Sequence, residues 1–454
     1  MKTKVGTIGR FLGVISALLS GCGEHVVVVS LEKLSPEAQA ISVYYKMEPD
    51  GVRSKSLSRD DLAKENQSFG IRPPTNRVGP MSIRTFTYKD NLPCALNKGA
   101  IGAEVQAAGK MEVLVPLENG AATPNCSAND PPVRYPQEAK VWAGSDKNVW
   151  IVGKDAAVLH WDGALFHEIV IPQDLLNPAL PPNGVQNPDP PVPTWNGVVG
   201  DVQGNVWLAG TNQTVIKFDK DKRPFRIKSQ PTATPNRQLD YTGVDSKDGQ
   251  VLFSGSELVS DKFFVGKCSA IENTVTTDEV KITSSHIYAV SCTTATDCWF
   301  AGNDSALIHQ KDKAVFEVVK VGYESSCGGT GLGLHLRSII AHANPQQVKA
   351  VGFNYGSDQA ALVSFDMSLG CFMPITRTLP NQGGLKDPTA AIHRFGQADP
   401  IIVSANSMYR LSGSTWEPLP VSGEAMWRSV YLISDKKFFA TDSSGRIYAG
   451  TGGR

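Results

Sequence analysis

The chain carries eight cysteines and eight histidines, the residue types that could support thiol, metal or proton-transfer chemistry. Cys292 and Cys298 stand out in Ser291-Cys292-Thr293-Thr294-Ala295-Thr296-Asp297-Cys298-Trp299. Five polar or small residues separate two strand-like runs there, so a hairpin brings the two sulfurs together and a disulfide is expected. A metal site is the rival reading, but it would need a second Cys or His pair at ligand spacing, which is missing. His-Glu-x-x-His, Gly-x-Ser-x-Gly, a phosphate loop ending in Gly-Lys-Ser/Thr and EF-hand spacing are also absent, which argues against a familiar hydrolase. Gly328-Gly329-Thr330-Gly331-Leu332-Gly333 has the glycines of a nucleotide loop without the strand-turn-helix context, so a connecting loop is expected. No catalytic residue, metal or cofactor is assigned.

The elements that would position any site are strands. With 41% apolar and 19% charged residues over 454 positions, a sizeable core is available. The 44 Lys and Arg balance 44 Asp and Glu, so no basic field exists to hold a phosphate backbone and nucleic acid is not an expected partner. Residues 25–120 alternate short β-rich runs, such as Ala40 to Met47 and Ser82 to Tyr88, with turns such as Glu48-Pro49-Asp50-Gly51. A β-sandwich of immunoglobulin-like or transthyretin-like type is expected over 22–120, then a hydrophilic linker over 121–139.

From 140 to 454 the chain repeats itself. The first copy reads Lys140-Val141-Trp142-Ala143-Gly144, Asn148-Val149-Trp150-Ile151-Val152-Gly153, then Val158-Leu159-His160-Trp161-Asp162-Gly163. The second reads Asn205-Val206-Trp207-Leu208-Ala209-Gly210, then Val215-Ile216-Lys217-Phe218. Anchor glycines at 153, 210, 255, 302 and 352 are spaced 57, 45, 47 and 50 apart, close to the roughly 40–50 residues of a four-stranded propeller blade. Seven copies predict seven blades. The last has no clear fourth strand, and a segment around Val133-Arg134-Tyr135 is expected to complete it. His160 and His309 occupy the same repeat position, and Trp142, Trp150, Trp161, Trp207, Trp299 and Trp416 also fall at repeat positions. The histidines are expected to be blade packing residues, with metal ligation the alternative, and the tryptophans to pack between blades.

The first two copies resemble the Trp-Gly/Asp-Gly blade repeat of bacterial secreted and lipoprotein propellers. They are similar to the propellers of photosystem assembly factors and the neuraminidase-like superfamily. The Asp-box sialidase signature Ser-x-Asp-x-Gly-x-x-Trp is absent, as is the Gly-His to Trp-Asp spacing of the WD family, so the resemblance implies a fold and not a catalytic role.

Residues 1–21 read as a secretory signal, with Lys2, Lys4 and Arg10 preceding the apolar run Phe11 to Leu19. That run is about half the roughly 20 residues a spanning helix needs. Leu19-Ser20-Gly21-Cys22 resembles the lipobox of bacterial lipoproteins. The resemblance implies acylation of Cys22, a lipid bilayer as partner, and outer-membrane sorting, since Gly23 stands where a retention Asp would. Cleavage would remove Lys2, Lys4 and Arg10 from the 44 cations, leaving a slight net negative charge, so the acyl chains would do the anchoring. Seven cysteines then remain in an oxidising compartment. Beyond Cys292 and Cys298 their pairing is open; Cys94 with Cys126 and Cys327 with Cys371, leaving Cys268, is one arrangement.

Unequal loops hint at a site. Pro172 to Thr194 holds eight prolines, Gly322 to His335 is glycine-rich and Phe372 to Pro388 is long. Each joins the last strand of one copy to the first of the next, so all project from one face, where a protein or glycan is expected to bind. The expected function is an anchored, non-enzymatic binding scaffold; the alternative is an envelope glycosidase or lyase working from the propeller's central face.

Overall fold

A computed structural model describes residues 26–451 except 33, 35–37, 48–52, 59–67, 74–77, 89–96, 106–109, 117, 120–135, 164, 177–191, 230–238, 258–261, 270–273, 281–285, 313–314, 323–332, 355–358, 367, 375–390, 397, 405–406, 413–414, 420–425, 436 and 444–446. Cys22, the signal, Val133 to Tyr135, Cys94, Cys126 and Cys327 therefore lie outside the described residues.

Two sheets form the N-terminal region. Val26–Glu32 pairs antiparallel with Ser68–Ile71 and parallel with Lys110–Pro116. The second sheet runs in the order Arg53–Ser58, Ala40–Met47, Gly79–Tyr88, Asn97–Val105, Glu118–Asn119. They share a core of Val27, Val29 and Leu31 against Ile41, Val43 and Ile83. Strand alternation sends the even-numbered residues of Ala40–Met47 and Gly79–Tyr88 to the opposite face. That face is also covered, because Tyr44, Phe86 and Tyr88 pack against Trp161, Phe166, Phe439 and Ile447 from the C-terminal repeats. The Tyr44 hydroxyl accepts the Phe166 N–H at 3.2 Å, and the Tyr88 and Trp161 rings lie 4.9 Å apart. The N-terminal region is thus seated on the repeat array.

The array is a β-propeller. Among the described residues, seven successive meandering sheets follow residue 139. Their inner strands are Lys140–Ser145, Trp195–Gly200, Leu239–Lys247, Ile287–Thr294, Leu334–Ile340, Ala391–His393 and Trp427–Leu432. Each inner strand lies beside that of the next sheet, and the seventh lies beside the first. Apolar clusters fill the gaps between neighbours: Trp150 and Leu208 between the first and second sheets, Trp207 and Phe253 between the second and third, and Trp299 and Leu336 between the fourth and fifth. Trp161 packs at the junction of the first and seventh sheets, as expected for an interblade residue, and meets the N-terminal sheet as well. The seventh sheet has three described strands, Trp427–Leu432, Lys437–Asp442 and Ile447–Thr451.

Neighbouring inner strands are not β-paired, so side chains bind them to one another. Asn196 Nδ2 donates to Tyr241 O at 2.8 Å, and Thr242 Oγ1 donates to Ile287 O at 2.5 Å. Ser291 Oγ accepts from Ala341 N, Ser338 Oγ accepts from Ile392 N, His393 Nδ1 accepts from Leu432 N, and Ser429 Oγ accepts from Val141 N. At the junction of the first and second sheets, Trp195 N donates to Gly153 O and the Trp142 ring lies over Gly200.

The anchor glycines have a shared steric cause. A Cβ on Gly352 would come within 1.9 Å of His335 O, one on Gly302 within 2.1 Å of His286 O, and one on Gly153 within 2.2 Å of Gln137 O. In these repeats the second strand passes too close to the backbone entering the inner strand for a side chain at the glycine. Gly352→Ala is expected to cost about 1–3 kcal/mol, the usual range for forced overpacking. A urea denaturation midpoint unchanged by this substitution would contradict the steric account.

Candidate functional site

The cysteine hairpin is built as a disulfide. Cys292 and Cys298 are cross-strand partners with Cα atoms 4.0 Å apart, and their sulfurs are bonded. The turn is shorter than the five residues the spacing suggests. Strand pairing continues to Thr294↔Asp297, with a register slip between Cys292 and Thr294, so only Ala295 and Thr296 turn. Cys371 is also disulfide-bonded, to a partner outside the described residues. Cys268 is a buried thiol that donates to Ser269 O.

The two repeat-position histidines pack as tryptophan partners. His309 stacks on Trp299 with centroids 3.9 Å apart and bonds Asp297 Oδ1 at 2.6 Å. His160 lies 4.9 Å from Trp150, with Nε2 on Asn148 Oδ1 at 3.0 Å and Nδ1 by Lys222 Nζ at 3.2 Å. In the second repeat Lys217 takes the same place over Trp207. Among the described residues no three His, Cys, Asp or Glu side chains gather as a metal site would require.

The central channel has two chemically different ends. Where the inner strands finish, Asp245, Lys247, His393, Tyr431 and Trp142 meet. Asp245 accepts Ser246 N and Cys292 N through its two oxygens. Burial nevertheless holds its carboxyl above the usual range, against the opposing pull of Lys247 and those two N–H groups. The His393 ring sits 4.0 Å from Tyr431. Burial, with Lys247 adding to it, pushes the His393 pKa down to about 3. Burial and then Asp245 raise the Tyr431 phenol.

Asp245 and His393 bind neighbouring inner strands here by accepting Cys292 N and Leu432 N. The histidines give a pH prediction with a definite sign. The His393 and His160 pKa values are both about 3 in the folded chain, against about 6.5 for a free imidazole. The folded state therefore binds fewer protons, and stability present above pH ~6.5 is lost as pH falls toward 3. The urea midpoint is expected to drop steadily below pH 6.5. His393→Asn, which keeps an acceptor for Leu432 N but cannot take a proton, is expected to flatten that slope. An equal slope in the variant would contradict the assignment.

Where the inner strands begin, the lining is cationic. Five inner strands slip register by one residue, at Asn196, Thr242, Tyr288, Arg337 and Arg428. A bulge re-aims its side chain. Asn196 and Thr242 use theirs to bond the next strand, while Arg337 places its Cζ 3.7 Å from the Tyr288 ring centre and 5.6 Å from that of Phe353. Arg428 Nε is buried and makes no hydrogen bond. Lys140 begins the first inner strand; burial, then Arg428 and Arg337, push its pKa down to about 8, with Glu138 opposing weakly. Lys140, Arg337 and Arg428 form no salt bridge with any described residue.

The described ends of the three unequal connections, at Leu176, Val192 to Thr194, Val321 to Gly322, Gly333 and Pro374, join outer strands to the starts of inner ones. They share this face with the cationic mouth. Sequence reading missed Lys140, Arg337 and Arg428. The signal was present as a variable residue before a small one near each strand start: Asn196-Gly197, Thr242-Gly243, Tyr288-Ala289, Arg337-Ser338 and Arg428-Ser429.

No family description matches the chain, and no curated protein matches it in sequence. Among solved structures the chain is similar to streptogramin B lyase, at 12% identity and a TM-score of 0.50 over 70% of this chain and 96% of that one. It is also similar to the WD40 β-propeller domain of Doa1, at 12% identity and 0.48 over 71% and 95%. YCF48 bound to a D1 peptide gives 10% identity and 0.46 over 73% and 100%. At such identities the likeness is one of fold, the β-propeller.

Proposed function

We propose that the chain is an exported lipoprotein that binds its ligand without covalent chemistry, through a seven-bladed propeller carried on an N-terminal β-sandwich. In this reading residues 1–21 are a signal, and acylated Cys22 holds the mature protein in the outer membrane, facing the periplasm or the cell surface. The partner is an envelope protein or glycan. The closed circuit of seven inner strands supports the blade count, and the shared core of the two N-terminal sheets supports the sandwich.

The observation that carries the binding reading is the cationic channel mouth, open on the face that bears the unequal connections. A lyase shares the fold, so fold alone does not choose between binding and catalysis. A glycosidase needs paired carboxylates with oxygens open to substrate. Asp240 and Asp245, the carboxylates of the third inner strand, instead accept backbone N–H groups from Asn212, Ser246 and Cys292. That favours binding.

The test is affinity capture from detergent-solubilised envelopes, using the tagged full chain beside Cys22→Ala and a deletion of 177–193. A stoichiometric partner retained by Cys22→Ala and lost with the deletion is expected. Capture unaffected by the deletion would remove the loop face from the account.

A further inference from the structure

We infer that the channel mouth formed by Lys140, Arg337 and Arg428 is a binding site for a single oxyanion, a carboxylate or phosphate carried on a small polar molecule or a sugar residue. The inference rests on the reading of this face as the binding face and names the chemistry that face selects.

Three features carry it. First, the three cations come from the first, fifth and seventh inner strands, and the Arg428 and Arg337 charges both act on Lys140 from their separate sheets. Arg337 and Arg428 both project from register slips, the device that turns a side chain away from the sheet plane. Second, no carboxylate among the described residues pairs with any of them. Arg337 is held on the Tyr288 and Phe353 rings, and cation–π contact orients a guanidinium while leaving its N–H edge open to an acceptor. The Arg428 Nε–H is buried with no acceptor among the described residues. Third, grouping like charges where protein replaces water is costly unless a counter-charge enters. The charged groups facing Lys140 are Arg428 on the seventh inner strand, Arg337 on the fifth and Glu138 just before its own strand. Burial first, and then the two guanidinium groups, lower its pKa to about 8.

The occupant is a compact anion, not a polyanion. The channel mouth is ringed by seven strands, and the chain as a whole has no net charge to attract a long phosphate polymer. Planar guanidinium groups match two oxygens of one carboxylate or phosphate, and an ammonium supplies a point charge.

The experiment is calorimetric titration of the full chain at pH 7 and low salt with glucuronate, glucose 6-phosphate and glucose. One or both oxyanions are expected to bind and glucose is not; which of the two is tighter identifies carboxylate or phosphate as the source. Lys140→Gln and Arg428→Gln are each expected to weaken binding at least tenfold. Raising the pH from 7 to 9.5 should weaken binding to the native chain but not the residual binding of Lys140→Gln. A second readout guards against simple misfolding: without ligand, Lys140→Gln is expected to melt at the same or a higher temperature, because a repulsive charge has gone. Equal binding of all three sugars, or oxyanion binding unchanged in both variants, overturns the inference. Partner capture through the loop face is measured separately, so its survival alongside a failed titration would remove the oxyanion site alone.

Discussion

Trp161→Ala is expected to lower stability by about 3–5 kcal/mol, the range for emptying a buried aromatic site, and to uncouple the N-terminal region from the propeller. The ring is fully buried and touches three partners at once: Phe166 at 4.8 Å, Tyr88 at 4.9 Å, and Asp146 O, to which its Nε1 donates at 3.1 Å. Tyr44 and Phe86 complete the same cluster from the N-terminal sheet, and Phe439 and Ile447 join it from the seventh sheet. One side chain thus contacts the seam where the ring closes and where the N-terminal sheet docks. Scanning calorimetry is expected to show two transitions in the variant where the native chain shows one. Trp161→Phe, which keeps an aromatic ring but loses the N–H, should fall between them. A single transition shifted by no more than about a degree would contradict the packing account, since about 1 kcal/mol already moves a melt by a few degrees.

Cys22→Ala is expected to move the protein almost wholly from the membrane pellet to the soluble fraction and to abolish labelling by a fatty-acid analogue. In the proposed reading, each buried acyl CH₂ contributes about 0.8 kcal/mol, so several chains on Cys22 suffice as an anchor. In the same reading, loss of Lys2, Lys4 and Arg10 leaves a slightly negative chain, which gives no substitute through anionic lipid. Equal pelleting of native and variant chains in high salt would show that Cys22 is not the anchor.

Much of the fold was legible because repeats amplify weak signals. Asn148-Val149-Trp150 and Asn205-Val206-Trp207 announce the second strand of a repeat, and the anchor glycines mark its end where backbone crowding forbids a Cβ. The Cys292–Cys298 link was readable from spacing, although the register slip that tightens its turn was not. Docking of the N-terminal sheet was less visible. Tyr44, Phe86 and Tyr88 look like ordinary alternation, and period two cannot say whether the second face meets water or protein. The cationic mouth was hidden for a different reason. Lys140, Arg337 and Arg428 are nearly three hundred residues apart at the extremes, and only ring closure brings them together. At Arg337 and Arg428 a bulge also adds one residue and so shifts the alternation that would have marked them as channel-facing.

The ligand is expected to meet the face of the propeller that carries the cationic mouth. Val192 and Val202 flank the second inner strand at its two ends, 48% and 79% exposed, the first on the face with the cationic mouth and the second in the turn on the opposite face. The most direct measurement places a photo-crosslinking amino acid at each position in the full-length protein and irradiates intact cells. Crosslinks to one discrete partner from position 192 and none from position 202 are the expected result. A discrete partner from position 202 alone would contradict the account and move the binding surface to the other end of the channel.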